Sequence, residues 1–129
     1  MNSSNLTTPL STRKLGDKVE AWVCAQLIQK GLVLITEKYT TPFGEIDLIM
    51  MDIKENTLVF IEVRYRKNAD YGEGFETISR TKQRKIITTA KCFIRYKPTL
   101  SDRPIRFDVA SVSGSIPNLE LDWIPDAFM

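Results

Sequence analysis

Two acidic residues in apolar segments are the side chains of this sequence most suited to chemistry. Asp47 lies within "EIDLIMMD", and Glu62 follows the apolar half of "TLVFIEVRYR". Because side chains alternate between the faces of a strand, Glu62 and Arg64 project together from one strand end. Ionised groups are costly to bury unless they are paired or bind a metal. The sequence therefore predicts a charged site at the ends of two neighbouring strands.

A divalent cation would relieve the repulsion between two close carboxylates. Mg²⁺ and Mn²⁺ prefer oxygen ligands and are commonly held by a few carboxylates, with water and substrate phosphate completing the shell. We expect Asp47 and Glu62 to hold such an ion, joined by Glu20 if the first helix crosses the strand ends. Arg64 would then stabilise the charge that grows on a phosphate during hydrolysis.

The same acidic residues also have ordinary structural interpretations. Glu20, judged on its local sequence, fits an exposed helix charge better than a metal ligand. Asp47 and Glu62 could form surface salt bridges instead of a metal site. The arginines available for such bridges are Arg64, Arg66 and Arg106.

Positive charge is concentrated in one segment of the chain. The formal net charge of the 129 residues is +2, but the stretch from Arg80 to Lys97 carries seven cations and no acidic residue, so the rest sums to −5. Such a segment suits a nucleic-acid backbone, with binding that weakens as salt rises. A solvated helix face is the ordinary alternative. The cations are Arg80, Lys82, Arg84, Lys85, Lys91, Arg95 and Lys97.

Hydrophobic spacing predicts the elements that position these residues. A first helix is predicted because Leu15, Val19, Trp22, Val23 and Gln26 recur at helical spacing, and a second helix is predicted from Arg80 to Tyr96. Strands are predicted for "LVLITEKY", "EIDLIMMD", "TLVFIEVRYR" and "PIRFDVASV", with a "TPFG" turn and an "IKEN" hairpin between the first three. On the second strand, Ile46, Leu48 and Met50 should face away from Asp47.

The element order α-β-β-β-α-β predicts a single α/β domain, a mixed sheet flanked by helices. The domain should cover residues 13–129, after a flexible tail of residues 1–12. That polar tail lacks a signal-peptide core and no apolar run could span a bilayer, so we expect a cytoplasmic protein with no membrane partner. "YGEG" lacks the third glycine of a dinucleotide loop, and no phosphate-binding lysine motif occurs, so no nucleotide cofactor is expected.

The residue types exclude several kinds of site. The chain has no histidine and two cysteines, Cys24 and Cys92. This excludes the usual Cys/His zinc site, Ser-His-Asp and Cys-His catalysis, and nucleases that use a histidine base. In a reducing cytoplasm both cysteines should be buried thiols within helices.

Five separated blocks resemble, in order, the YraN-like family of small uncharacterised bacterial proteins. The blocks are "FGEIDLI", "VFIEVRYR", "SRTKQRKI", "RFDV" and the terminal "DAF". That family is grouped with archaeal Holliday-junction resolvases in the PD-(D/E)XK nuclease superfamily. The resemblance extends from about Leu15 to Phe128 and implies a restriction-endonuclease-like fold.

The resemblance also implies roles for individual residues. In the superfamily, an acidic helix residue, a strand Asp and an E-x-K pair form the metal and catalytic centre, and Gln83 matches a polar helix residue that points into it. Ile46 stands where the superfamily name has proline. The residues that match the centre are Glu20, Asp47, Glu62 and Arg64.

Arg64 is the main departure from this pattern, because it replaces the usual lysine. Arginine stays protonated at physiological pH and so cannot act as a base, although its planar fork can orient water or bind phosphate. A metal-dependent endonuclease-like protein is therefore one hypothesis. A catalytically silent nucleic-acid-binding or adaptor protein with the same fold is the alternative.

DNA is the expected partner in both cases. No base-reading residues can be identified, so binding should be selective for branched or otherwise structured DNA rather than for a sequence. The residues expected to contact its backbone are Arg64, Arg66, Lys82, Arg84, Lys85 and Lys91. Resolvases of four-way junctions are usually dimers, and the sequence leaves a homodimer open. The segment "WIPDAFM" could dock a protein partner, although cover for the core is its simpler interpretation.

Overall fold

The computed structural model describes residues 11–67 and 78–129. The predicted tail, apart from its last two residues, and the loop that contains "YGEG" lie outside these ranges. Helix α1 begins at Thr12, one residue before the expected start of the domain. The elements are α1 (Thr12–Gln29), β1 (Leu32–Thr41), β2 (Gly44–Asp52), β3 (Thr57–Arg66), α2 (Arg80–Arg95), a 3₁₀ turn (Pro98–Leu100), β4 (Ile105–Ser115) and β5 (Asn118–Phe128).

The strands form one mixed sheet in the order β1-β2-β3-β4-β5. Strands β1, β2 and β3 are joined antiparallel by short turns, as "TPFG" and "IKEN" predict. Strand β4 lies parallel to β3, and a parallel neighbour requires a crossover, which contains α2. The predicted α/β class and mixed sheet are confirmed.

Strand β5 was not predicted. It pairs antiparallel with β4 and contains the segment "WIPDAFM". Pro125 argues against a central strand, but an edge strand tolerates proline because one side of it makes no ladder bonds. Trp123 and Phe128 pack against the cores on the two faces of the sheet. The interpretation of this segment as cover for the core is therefore confirmed.

Each helix covers one face of the sheet. On the α1 face, Val19, Val23 and Leu27 pack with alternate residues of the central strands. On the α2 face, Ile86, Ala90 and Phe93 pack with the intervening strand residues, including Phe60 and Phe107. These helix residues recur at the spacing of an apolar stripe. The sheet is thus enclosed between two helices, with β3 at its centre.

The predicted face of Ile46 was wrong. Leu48 and Met50 belong to the α1-side core, as expected, whereas Ile46 packs in the α2-side core with Ile49 and Met51. Regular alternation therefore fails next to Asp47. The reason is that β2 stops pairing with β3 at Leu48, so its first residues follow a different path.

The two cysteines lie on opposite faces of the sheet. Cys24 is buried on α1, Cys92 is half-buried on α2, and both are free thiols. Burial, followed by the charge of Glu37, raises the pKa of Cys24 above its ordinary value. Within residues 11–67 and 78–129, neither helix has the length and apolar character needed to cross a membrane.

A buried ionic network ties β5 to the rest of the sheet. Asp108 on β4 is fully buried, and its carboxylate accepts hydrogen bonds from Arg106 Nε (3.0 and 3.2 Å), Trp123 Nε1 (2.9 Å) and the backbone N–H of Asp126 (2.9 Å). Arg106 Nη1 also lies 3.0 Å from Asp52 Oδ2. Both oxygens of the buried carboxylate therefore accept hydrogen bonds, and Arg106 supplies the compensating positive charge.

Asp108→Asn should destabilise the fold strongly. The amide removes a negative charge that compensates half-buried Arg106, and it cannot accept every hydrogen bond that Asp108 accepts, so we expect a loss of about 3–5 kcal/mol in the free energy of unfolding. Urea denaturation followed by tryptophan fluorescence measures it. Glu120→Gln, at an exposed position of β5, is the control and should change stability by less than about 0.5 kcal/mol. Equal stability of the two variants would contradict the role of the network.

Candidate functional site

The site is built where two neighbouring strands separate. Pairing between β2 and β3 ends at Leu48 and Ile61, although β2 remains paired with β1 as far as Gly44. Strand β3 continues beside β4 to Arg66. The first residues of β2 therefore diverge from β3, and we call this opening the fork.

Asp47 closes the fork with its side chain. Beyond the last backbone pair, the N–H of Val63 has no β2 carbonyl in register, and Asp47 Oδ2 accepts its hydrogen bond at 2.8 Å. An unpaired buried N–H is costly, so this bond explains why a polar residue is suited to position 47. The carboxylate thereby takes the place of a strand partner.

Glu62 lies beside the fork, on the α2 side of β3. It shares that face with Leu58 and Phe60, as the alternation predicts, and only 6% of its surface is exposed. Its Oε2 atom lies 3.0 Å from Nζ of Lys82, in the first turn of α2. The lysine compensates the buried charge of the glutamate.

Asp47 and Glu62 open into a common cleft of about 300 Å³ between the fork and α2. Cations and anions therefore meet in one concave site, with the two carboxylates contributed by different strands. The described residues that line the cleft are Gly44, Glu45, Asp47, Glu62, Lys82, Lys85 and Ile86.

Burial and the neighbouring carboxylates raise the pKa of Asp47. Burial is the largest cause, followed by the negative charge of Glu62, and Glu20 and Glu45 add smaller contributions. The hydrogen bond from Val63 acts in the opposite direction, and the pKa of Asp47 is raised to about 8. With no metal ion bound, Asp47 therefore favours its protonated form near neutral pH.

Glu20 is close enough to influence Asp47 but is bonded elsewhere. Its carboxylate pairs with Nζ of Lys38 on β1, which also lies 2.9 Å from Asp17. The hydrogen bonds that Lys38 donates, first to Glu20 and then to Asp17, raise its pKa. Glu20 and Lys38 line a second cavity of about 350 Å³, and Glu45 is common to this cavity and the cleft.

A three-carboxylate metal centre is not assembled in the part of the chain that the structure describes. No group of three His, Cys, Asp or Glu side chains there is placed to hold a metal ion together. Asp47 and Glu62 converge, whereas the carboxylate of Glu20 is directed to Lys38. A role for Glu20 as a metal ligand stays a prediction.

The cations of α2 fall into two groups. At about 100° per residue, the helix turns most of them away from the buried residues Ile86 and Phe93. Lys82 and Lys85 form the other group and line the cleft. Arg84, one of the residues expected to contact the DNA backbone, is on the outer face and does not line the cleft. The outer group consists of Arg80, Arg84, Lys91 and Arg95, all exposed.

Three further predicted residues are not among the described residues that line the cleft. Arg64 and Arg66 are half-buried on β3, where each makes contacts of its own. Gln83 is half-buried, and its Nε2 atom donates to the carbonyl of Ile78 at 2.7 Å. This hydrogen bond stabilises the start of α2, where the hydroxyl of Ser79 caps the helix. Their proposed roles toward DNA or water stay predictions.

Sequence reasoning missed the cations that pair with the acidic residues. Lys82, which is expected to bind DNA, contacts Glu62, and Lys38, which is not among the predicted site residues, contacts Glu20. Arg106 was one of the suggested partners of Asp47 and Glu62, and this was wrong because it bonds Asp52 and Asp108. A helical projection of α2 separates Lys82 and Lys85 from the outer cations, so the sequence does indicate which cations of the helix lie on the side of the cleft.

The raised pKa of Asp47 predicts that stability falls as pH rises in the absence of divalent ions. Folded Asp47 keeps its proton to about pH 8, whereas an unfolded aspartate loses it near pH 4. Between these values the folded state binds more protons, so the free energy of unfolding should fall by at most ~1.4 kcal/mol per pH unit. In the Asp47→Asn variant, the amide oxygen can still accept the hydrogen bond from the N–H of Val63. Because this side chain carries no titrating proton, the free energy of unfolding should depend less on pH.

Urea unfolding from about pH 5 to about pH 9, in a chelator, measures the effect. Above pH 8 the Asp47→Asn variant should be more stable than the native chain. Glu120→Gln, at an exposed position, should follow the native profile. An unchanged slope in the Asp47→Asn variant would show that Asp47 is already ionised at low pH.

Comparison with known proteins identifies relatives over nearly the whole chain. A UPF0102 protein of Psychromonas ingrahamii is 48% identical over 114 residues, which are 88% of each chain. Another, from Xanthomonas campestris pv. campestris, is 42% identical over 120 residues, 93% of this chain and 95% of the relative. A third, from Pseudomonas syringae pv. tomato, is 38% identical over 126 residues, 93% of this chain and 97% of the relative.

A family model agrees with these relatives. The model described as "Uncharacterised protein family UPF0102" matches residues 19–112, a range that includes both Asp47 and Glu62. The resemblance to YraN-like proteins is thereby confirmed. The chain belongs to the UPF0102 family of uncharacterised proteins.

Proposed function

We propose that this protein is a metal-dependent endonuclease-like protein that binds branched or otherwise structured DNA and hydrolyses its phosphodiester bonds. The observation that carries the proposal is the fork, where the carboxylates of Asp47 and Glu62 converge beside Lys82. The resemblance to the PD-(D/E)XK superfamily gives the same two acidic residues a role in hydrolysis.

The chemistry of the cleft fits a divalent cation. Two carboxylates with open space beside them suit Mg²⁺ or Mn²⁺, which keep several water ligands and also accept phosphate oxygens. The pKa of Asp47 is raised first by burial and then by the negative charge of Glu62, and a cation in the cleft would favour the ionised carboxylate. Asp47 and Glu62 would hold the ion, and Glu20 would contribute through water. When bound, such an ion supplies Lewis acidity toward a phosphate oxygen.

The cations of the cleft suit a phosphate group. Lys82 and Lys85 are exposed on α2 and line the same cleft as the carboxylates. A DNA phosphate that entered would compete with Glu62 for the ammonium group of Lys82. The lysine would then hold the phosphate while Glu62 became available to a cation. Arg64 can bind phosphate through its guanidinium but cannot remove a proton from water.

The alternative function is binding without hydrolysis. It is favoured by the ion pair between Lys82 and Glu62, because the lysine already compensates the buried carboxylate without a metal. Arg64, which stands where the superfamily has lysine, favours it too. A silent relative would keep the fold and the cationic surface of α2 as a DNA-binding or adaptor protein.

Cleavage of defined DNA substrates tests the enzymatic proposal. The full chain is incubated with branched, flapped and linear DNA in Mg²⁺ or Mn²⁺. We expect cutting of branched or flapped DNA, slowed about 100-fold or more by Glu62→Gln, which keeps the side-chain shape but removes the charge. Glu55→Gln, at an exposed position in the β2–β3 turn, should cut like the native protein.

Binding without cutting, for every DNA and both metals, would support the silent alternative. Equal cutting by the native chain and the Glu62→Gln variant would indicate a contaminating nuclease. The absence of salt-dependent binding would contradict both functions that involve DNA.

A pair of double variants tests whether DNA binds in the cleft. Lys82→Gln with Lys85→Gln removes the two cleft cations, whereas Arg84→Gln with Lys91→Gln removes two outer cations and changes the net charge equally. We expect the cleft variant to lose about tenfold in affinity and to reduce the slope of log affinity against log salt by about 2. Fluorescence anisotropy at several salt concentrations measures both quantities.

The outer variant should keep most of the affinity for DNA. Equal losses in the two variants would mean that the overall charge of α2, rather than the cleft, binds DNA. Thermal unfolding of both proteins serves as the control for stability, because Lys82 also compensates Glu62.

A further inference from the structure

We propose that Phe43 stacks on an unpaired base of DNA whose phosphates occupy the cleft, so that this side chain recognises a flap or branch point. The inference rests on the proposed function and names the feature of the substrate that the site selects. It starts from an exposed aromatic ring at the tip of the β1–β2 hairpin, beside the fork.

The ring of Phe43 is largely exposed, so packing in the core does not explain an aromatic residue at this position. Phe43 is 55% exposed, and the next residue, Gly44, lines the cleft. Among the large apolar residues that are exposed in the described ranges, only Phe43 is adjacent in sequence to a cleft residue. Ile53, which is 61% exposed, lies in the turn at the other end of β2.

The turn that carries Phe43 is held by its neighbours. Phe43 and Pro42 connect a directly paired Thr41 and Gly44. The hydroxyl of Thr41 accepts the N–H of Phe43 at 3.1 Å, lies 3.3 Å from the carbonyl oxygen of Gly44, and is 3.4 Å from the hydroxyl of Thr89 on α2. The backbone beneath the ring is therefore fixed while the ring itself faces solvent.

Contact with α2 keeps the turn beside the cationic end of the cleft. A Cβ atom added to Gly44 would lie 3.2 Å from Thr89 Oγ1 and 3.3 Å from Cβ of Lys85, so the glycine backbone packs closely against the helix. Lys85 thus adjoins both the turn and the cleft. A phosphate near Lys85 would bring the attached nucleotide within reach of Phe43.

This arrangement combines the two elements of single-strand recognition. Cationic side chains bind the backbone, and an aromatic ring stacks on a base whose face is free. Bases within a continuous duplex are already stacked on their neighbours, so the ring gains most from a base at a flap or junction. Selectivity would then come from strand structure rather than from base sequence.

The test compares Phe43→Ala with the native chain on two DNAs of equal length, without divalent metal. One is a blunt duplex, and the other carries a flap with 2-aminopurine as its first unpaired base. We expect Phe43→Ala to lose about tenfold in affinity for the flapped DNA and to abolish the quenching of 2-aminopurine fluorescence, with little change on the duplex. Phe43→Tyr, which keeps an aromatic face, should preserve both signals.

Ile53→Ala is the matched control, because it removes an exposed apolar side chain from the opposite turn, and it should bind like the native chain. If Phe43→Ala binds the flapped DNA as tightly as the native protein, or loses affinity equally for both DNAs, the stacking role is overturned while the proposed function stands. If the native chain binds neither DNA, the proposed function fails and the stacking role fails with it.

Discussion

The separation of β2 from β3 leaves the N–H of Val63 without a strand partner, and the site depends on how this group is satisfied. A backbone carbonyl of β2 could have accepted this hydrogen bond without adding an ionisable group. Instead, the carboxylate of Asp47 accepts the hydrogen bond. The bond that stabilises the fork therefore also places an acidic group in a half-buried position, next to Glu62. The side chain of Asp47 therefore affects both the local strand structure and the electrostatics of the cleft.

Compensation of the acidic residues is divided between two lysines from different elements. Lys82 of α2 pairs with Glu62, and Lys38 of β1 pairs with Glu20. Asp47 lies between these two pairs and is bonded to backbone N–H, so its excess charge is relieved by a proton. A proton, a metal ion or a cationic ligand could each serve this purpose. This competition makes the protonation of Asp47 sensitive to what enters the cleft.

Local patterns predicted both helices, the first four strands and the two central acidic residues because alternation and helical spacing require only neighbouring positions. They could not predict Lys82 as the partner of Glu62, since that contact depends on where the first turn of α2 crosses the sheet. They also placed Ile46 on the wrong face, because alternation assumes a strand that stays paired on both sides. Strand β5 was missed since proline and scattered charges weaken the pattern of an edge strand.

The departure of β2 from β3 has a second consequence at the hairpin tip. Because β1 follows β2 away from the centre of the sheet, their shared turn lies against Lys85 and Thr89 of α2. The same divergence thus exposes a carboxylate in the cleft and fixes Phe43 at its rim. If β2 stayed paired with β3 along its whole length, the β1–β2 hairpin would stay in line with β3. The acidic side chain and Phe43 would then lie apart. A change that restored the pairing would therefore alter the charged cleft and the aromatic rim together.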